Sequence, residues 1–169
     1  EGPAVGSAGV ISWLAVAAPG TYYLCVHSRA YESNGEKPYS LVVSFPEFDP
    51  SKESEPNDSK ETANAFAPPF MDGRISPSGD RDVYGFSAEE PSLLRLEVSV
   101  PPSLDLLVRA FTEEGTEIAQ MNGSGGTTIV IPDVYFEKTA YCEVSALSGK
   151  NDPSASYRLS AVQTPYSSE

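Results

Sequence analysis

The fold of this chain is indicated first by one alternating stretch, Leu94-Arg95-Leu96-Glu97-Val98-Ser99-Val100. Apolar residues occupy every second position, which is the period of a strand with one buried face. The same pattern continues outward in Leu104–Phe111, Thr127–Ile131, Thr139–Ala146 and Ser156–Ala161. Turn-forming runs separate these segments, and a short helical turn is expected only at Asp58–Phe66. Several short strands at this spacing predict an all-β fold, an antiparallel β-sandwich.

Composition and charge narrow the class of protein. The 169 residues include 11 Lys and Arg against 24 Asp and Glu, a formal charge of −13. Such a surface repels phosphate backbones and anionic headgroups, so we expect neither nucleic-acid binding nor membrane binding. No apolar run approaches the roughly 18 residues that a membrane-spanning helix needs, so membrane insertion is not predicted. A surface of this charge attracts cations, most strongly where several carboxylates converge.

Side chains suited to catalysis are scarce in the sequence. His27 is the only histidine, so no second imidazole can bind a metal or act as a base beside it. A paired-carboxylate glycosidase could use Asp80 and Asp82, but these stand two residues apart beside an open sheet surface. We therefore predict a non-catalytic protein with no catalytic residues. Cys142 alternates with apolar residues and is expected in the core.

The chain also contains an internal repeat. With an offset of 118 residues, from Thr21 to Thr139, the segment 21–26 aligns with 139–144 and 39–43 aligns with 157–161. We therefore expect residues 1–45 to be the C-terminal part of a first unit, 46–54 an acidic linker, 55–164 a complete unit and 165–169 a tail. Cys25 aligns with Glu143 and is expected to point outward. A truncated unit would expose sheet edges, so it should belong to a longer chain or be completed by another polypeptide.

The strongest constellation for chemistry combines an acidic run with an Asp-rich loop. Calcium takes about six to eight hard oxygen ligands, and Glu53, Glu55 and Asn57 alternate so that they face one side of an extended segment. Asp80 and Asp82 are placed to close the site from a neighbouring loop. The alternative is a solvated acidic linker, in which Pro56 fixes an extended backbone and Asn57 or Asp58 caps the turn that follows.

One ordered series of motifs extends over residues 53–163. It comprises Glu55-Pro56-Asn57-Asp58-Ser59, Gly73-x-Ile75, Gly79-Asp80-x-Asp82-x-Tyr84-x-Phe86, Leu104-Asp105-Leu106, Tyr141-x-x-Val144 and Tyr157-x-Leu159. In this order the motifs resemble the bacterial pre-peptidase C-terminal domain. The resemblance implies a jelly-roll-like β-sandwich, here a tandem repeat with its first copy truncated. It also implies export, because such domains are appended to secreted proteases and other exported proteins.

The resemblance further implies a set of metal ligands. The related collagen-binding modules of clostridial collagenases bind calcium through the linker and an adjoining loop. Carried over to this chain, the linker-side ligands are Glu53, Glu55, Asn57 and Asp58, and the loop-side ligands are Asp80 and Asp82. Calcium is therefore the expected cofactor.

Two tyrosines are candidates for ligand binding. Tyr23 and Tyr141 occupy equivalent outward positions on predicted strands that the repeat makes equivalent. In collagen-binding relatives, tyrosines on the sheet surface contact the fibrous ligand, and tyrosine is favoured at interfaces. The alternative is that both are exposed strand residues with high β-propensity.

The expected function is a non-catalytic binding or attachment module of a larger secreted protein, stabilised by calcium at the linker. Its expected partners are an extracellular matrix polymer, a cell surface or a neighbouring protein subunit. Two alternatives stay open. One is a structural subunit of an extracellular assembly, completed by strand pairing with other chains. The other is a cleavable secretion or processing appendage of a secreted protease.

Overall fold

The computed structural model describes residues 21–27, 35–36, 38–44, 47 and 49–167. Residues 49–167 form nine strands, which are β1 Asn64–Ala65, β2 Phe70–Gly73, β3 Arg81–Ser87, β4 Ser92–Ser99, β5 Leu106–Thr112, β6 Glu117–Gly123, β7 Thr128–Phe136, β8 Thr139–Ala146 and β9 Tyr157–Pro165. One sheet has the order β1-β3-β8-β5-β6 and the other β2-β9-β4-β7. Every strand pair is antiparallel except β1 with β3. The predicted all-β sandwich is confirmed.

The core lies between the two sheets. Leu96 and Val98 of β4 fill it from one side, and Leu106 and Val108 of β5 fill it from the other, each with 1% or less of its surface exposed. Burying one such side chain contributes about 1.5–3 kcal/mol, so this alternation dominates the stability of the sandwich. The described residues contain no helix long and apolar enough to cross a membrane.

The predicted alternating segments correspond to β4, β5, β7, β8 and β9. Residues 124–127 form the turn between β6 and β7, and Gly126 adopts a φ of 80° that favours glycine. Strand β6 was not predicted, because most of its side chains are exposed and it shows no alternation. In place of the expected helical turn after Asp58, the structure has a hydrogen-bonded turn in which Thr62 N donates to Ser59 O at 3.1 Å, leading into β1.

Segments 21–27 and 38–44 differ from the prediction made from the repeat. Strands are predicted there, but neither segment forms one, and their apolar side chains are exposed, with Tyr23 at 92% and Val42 at 87%. A strand is stable only beside hydrogen-bonded neighbours, and neither segment has a strand neighbour in the described part of the chain. Most of the remaining predicted first unit, including residues 1–20 and 28–34, lies outside the described residues.

Several single-residue predictions can be compared with the structure. Cys142 is fully buried in the core, as predicted, whereas Cys25 is exposed. Tyr84 and Phe86 alternate along β3 with their rings in the core. These two aromatic side chains therefore contribute first to packing, although the hydroxyl of Tyr84 has a second role described below.

Candidate metal centre

The acidic segment, defined here as residues 51–58, contacts the edge strand β2 of one sheet and β3 of the other. On one side it runs beside β2, where Asp72 N donates to Ser51 O at 2.8 Å and Glu53 N donates to Asp72 O at 3.0 Å. On the other side Val83 N of β3 donates to Asn57 O at 2.9 Å. These backbone bonds fix the extended conformation that alternation had predicted, and they direct Glu53, Glu55 and Asn57 inward.

Three carboxylates converge where the segment meets β3. One oxygen from each of Glu53, Glu55 and Asp82 lies within 4.8 Å of the other two. Asp82 is fully buried, and the two glutamates are half-buried. The ion pairs of Lys52, Arg95, Arg109 and Arg158 involve other carboxylates. The structure thus brings together three of the six predicted ligands in one acidic cluster.

Asn57 adds a buried amide to the cluster. In one orientation of this amide, Nδ2 donates to Asp82 Oδ1 at 3.2 Å and to Glu55 Oε2 at 3.1 Å. In the other orientation, the carbonyl oxygen faces the same two carboxylates. The first orientation satisfies the hydrogen-bonding groups of the ionised carboxylates without an ion, whereas the second requires either a protonated carboxyl or a cation between the oxygens. The orientation of Asn57 therefore depends on what offsets the charge of the carboxylates.

Two buried tyrosines complete the cluster from the core side. Tyr157 OH donates to Asp82 Oδ2 at 2.5 Å and lies 2.7 Å from Tyr84 OH. Tyr84 OH in turn lies 3.4 Å from Glu53 Oε2. Arg74 N donates to the other oxygen of Glu53 at 2.6 Å. Each inward carboxylate is thus oriented by a donor, which leaves its remaining lone pairs directed into the cluster.

The electrostatic environment favours protonation of the cluster. Burial raises the pKa of Glu53 to about 8 from its ordinary value of 4.5, and the neighbouring Glu55 charge adds to the shift. Burial likewise raises the pKa of Glu55 to about 7, with Asp80 as the largest charge contribution. Burial and the charge of Glu53 raise the pKa of Asp82 well above 3.8. Either protons or a cation must therefore offset this concentration of negative charge.

The two other predicted ligands lie at the margin of the cluster. Asp80 is buried in the turn before β3, where its carboxylate accepts hydrogen bonds from Ser76 N at 2.5 Å and Arg81 N at 3.0 Å. Burial, followed by the charge of Asp58, raises the pKa of Asp80. Asp58 itself is exposed. Asp80 and Asp58 therefore add charge beside the cluster, while Glu53, Glu55, Asn57 and Asp82 form it.

The two tyrosines predicted to bind a ligand do not occupy equivalent places. Tyr23 is exposed in segment 21–27, which belongs to neither sheet. Tyr141 is half-buried on the outer face of β8, with Lys60 Nζ at 5.7 Å from the centre of its ring. The strand equivalence from which both were chosen is therefore not present in the described residues.

The sequence analysis did not identify three residues that contact or border the acidic cluster. Tyr84 and Tyr157 alternate with apolar neighbours, so their pattern predicts core packing and gives no sign of the hydroxyl contacts. Gly73 is required for a different reason, since a Cβ atom at this position would lie 2.5 Å from Glu53 Oε2 and would clash with the Tyr157 hydroxyl. What the three residues share in the sequence is that each belongs to the motif series described above.

The fold and the cluster define an all-β sandwich with an acidic cluster between β3 of one sheet and the acidic segment beside β2 of the other. No family model and no curated protein sequence matches the chain. Among solved structures, the chain is similar to the pre-peptidase C-terminal domain of a collagenase from Bacillus anthracis, with a TM-score of 0.46 and 16% sequence identity. The match covers 55% of this chain and 87% of that chain.

Proposed function

We propose that this chain is a non-catalytic attachment module of a larger secreted protein, in which calcium holds the acidic segment against the sandwich. The observation that carries the proposal is the convergence of Glu53, Glu55 and Asp82 within 4.8 Å of one another. The donor set fits calcium, because carboxylate oxygens and an amide carbonyl are the hard ligands that this ion prefers. Calcium bound here would neutralise the carboxylates and link the acidic segment to β3.

The local chain supplies rigidity to such a site. Glu53 is oriented by Arg74 N and Asp82 by Tyr157 OH, so neither side chain needs to rearrange to offer an oxygen. Asn57 can present either end of its amide to the cluster. The acidic segment bonds to β2 through Ser51 and Glu53 and to β3 through Asn57. An ion that binds only this docked arrangement stabilises it by mass action.

The attachment role rests on the exposed surface of the chain. Tyr23, Tyr39 and Val42 each expose more than 70% of their surface, and large exposed aromatic residues are favoured in contacts with other macromolecules. The proposed partners are an extracellular matrix polymer, a cell surface or a neighbouring subunit. Millimolar calcium outside cells would fill from about half to about nine-tenths of a site with the dissociation constant of about 10⁻⁴–10⁻³ M that extracellular modules show.

Calcium binding is tested by calorimetric titration of the full chain, with thermal melts in calcium and in chelator. Glu55→Gln removes one charge from the cluster without changing side-chain size. We expect it to weaken calcium binding at least tenfold and to raise the melting temperature in chelator, because like-charge repulsion falls. Glu89→Gln, at an exposed site away from the cluster, is the matched control and should change neither quantity.

The titration and the melts decide whether the acidic cluster binds calcium. Saturable binding that raises the melting temperature and is lost in Glu55→Gln supports the calcium site. No binding heat and identical melts in calcium and chelator would overturn it, and would assign the cluster to protonated carboxyls alone. Attachment is tested separately by co-sedimentation with insoluble collagen, chitin and cellulose and by binding to cells. Failure in every one of these assays contradicts attachment to polymers and cell surfaces.

A further inference from the structure

The four outer strands of the two sheets differ in how they are protected against pairing with another chain. β1 has only two residues, and β2 is short and covered by the acidic segment through the bridge between Lys52 and Asp72. β7 carries Pro132 and the exposed Asp133 at its centre. Short length, proline and charge are the usual protections of edge strands. Three of the four edges are therefore protected.

The fourth edge, β6, lacks these protections. Among the described residues it pairs only with β5, and its other side presents unpaired backbone groups over seven residues. From Ile118 to Gly123 it contains no charged residue and no proline. Met121 and Ala119 lie opposite the buried Val108 and Ala110 in the register, so they face the core. Met121 is nevertheless 47% exposed, because no further strand covers the core at this rim.

Segment 38–44 has the composition of a strand that could cover this edge. Tyr39, Leu41 and Val43 share one face in an extended conformation, and Ser40, Val42 and Ser44 share the other. The segment forms no strand, its side chains are exposed, and it contains no acidic or basic residue. Both it and Ile118–Gly123 are therefore uncharged, although the whole chain has a net charge of −13.

The segment cannot reach β6 of its own chain. Hydrogen bonds hold Asp49 beside Ser51, which is bonded to β2 at the opposite end of the sandwich. A strand added outside β6 would be displaced from β2 by four strand spacings within the sheet and by one separation between the sheets. These displacements place it roughly 20 Å from β2. The five residues from Ser44 to Asp49 span at most about 17 Å when fully extended. Segment 38–44 can therefore cover this edge only on a second molecule.

From these observations we infer that segment 38–44 of one copy of this chain adds as an outer strand to β6 of a second copy. Tyr39, Leu41 and Val43 then extend the core-facing row of Ala119 and Met121, while the backbones pair as in other strand-addition complexes. The contact is heterologous, so it joins copies head to tail. It is independent of the calcium site, because neither segment contains a residue of the acidic cluster.

The test is sedimentation velocity of the full chain over a wide concentration range, in chelator and at high salt to screen the net charge. Met121→Lys places a charge on the inward face of the receiving edge, and Leu41→Lys places one on the inserting segment. We expect each to weaken self-association at least tenfold. Gln120→Lys and Ser40→Lys are the matched controls, since they add the same charge to outward positions, and they should associate like the wild type. Thermal melts verify that each variant is folded.

Mixing the two disruptive variants gives the decisive result. Met121→Lys retains an intact segment 38–44, and Leu41→Lys retains an intact β6. In the mixture the segment of the first variant should therefore add to β6 of the second. The assembly should stop at this heterodimer, because the remaining segment and the remaining edge are both disrupted. Self-association of Leu41→Lys alone would overturn the inference in favour of β6 pairing with β6. A wild-type chain that stays monomeric at all concentrations, or a mixture that forms no heterodimer, would overturn it as well.

Discussion

The hydroxyl of Tyr157, in the core of one sheet, donates a hydrogen bond of 2.5 Å to Asp82 Oδ2 on the other sheet. Both residues are fully buried, so this bond links the two sheets inside the acidic cluster. Tyr84 OH contacts Tyr157 OH at 2.7 Å and extends the network towards Glu53. The hydrophobic core and the candidate metal site therefore share the same two tyrosines.

Removing the Tyr157 hydroxyl should destabilise the chain more than removing that of Tyr84. Tyr157→Phe leaves a buried carboxyl without its donor, a loss of about 1–3 kcal/mol. Tyr84→Phe leaves the bond between Tyr157 and Asp82 in place, so we expect about 1 kcal/mol or less. Urea denaturation of both variants in chelator measures the difference. Equal losses would contradict a larger contribution from the bond between Tyr157 and Asp82.

Gly73 should tolerate no side chain. In Gly73→Ala the new Cβ would overlap the Tyr157 hydroxyl and approach Glu53 Oε2 to 2.5 Å, so we expect a loss of about 1–3 kcal/mol and weaker calcium binding. Gly85→Ala in β3 is the control, because its Cβ would make an ordinary contact of 3.6 Å with the Tyr141 ring. Thermal melts with calorimetry check both. Similar melting temperatures for the two variants would contradict the close packing described here.

The part of the acidic cluster that could be predicted from the sequence is the part in which alternation along an extended segment decides which side each residue faces. Glu53, Glu55 and Asn57 alternate on a segment that the backbone bonds to β2 and β3 hold extended, so they share one side. Asp58 breaks this alternation and is exposed. Spacing also placed Asp80 and Asp82 nearby, but only the fold separates Asp80, capped within its own turn, from Asp82, which faces the cluster.

Other features depend on contacts that a local pattern does not contain. Tyr157 lies 75 residues from Asp82 in the sequence, and its alternation with Leu159 is that of a core residue. β6 was missed because most of its side chains, including the core-facing Met121, are exposed, so its sequence shows no alternation. Segments 21–27 and 38–44 have strand-like sequences, yet they form no strand, because pairing depends on neighbours rather than on propensity.

In chelator, the acidic cluster should make stability fall as pH rises from about 5 to 8. The pKa of Glu53 is about 8 and that of Glu55 about 7 in the folded state, against 4.5 in the unfolded chain. Between these values the folded state binds more protons than the unfolded state, so the free energy of unfolding decreases with pH. Below about pH 4.5 these carboxyl groups are protonated in both the folded and the unfolded state, so they no longer make the free energy of unfolding depend on pH.

Melting temperatures of the wild type and of Glu53→Gln, measured at several pH values, isolate this effect. The variant lacks one titrating group of the cluster, so its decline between pH 5 and 8 should be shallower. Calcium should reverse the trend in the wild type, because it competes with protons for the same oxygens. Parallel pH profiles for the two proteins would contradict the raised pKa of Glu53.

Replacing Asn57 by aspartate should convert a cluster that is stable without metal into one that requires it. Without an ion, Nδ2 of Asn57 can bridge Asp82 Oδ1 and Glu55 Oε2, and Asn57→Asp replaces that donor by a further buried carboxylate. We expect a loss of about 1–3 kcal/mol in chelator. We also expect tighter calcium binding, because affinity rises with the number of charged ligands.

Asn122→Asp, on the exposed part of β6, changes the net charge equally and should leave stability and calcium binding unchanged. Calorimetric titration with paired melts measures both quantities, and an Asn57→Asp variant with the calcium response of the wild type would show that this side chain does not face a bound ion.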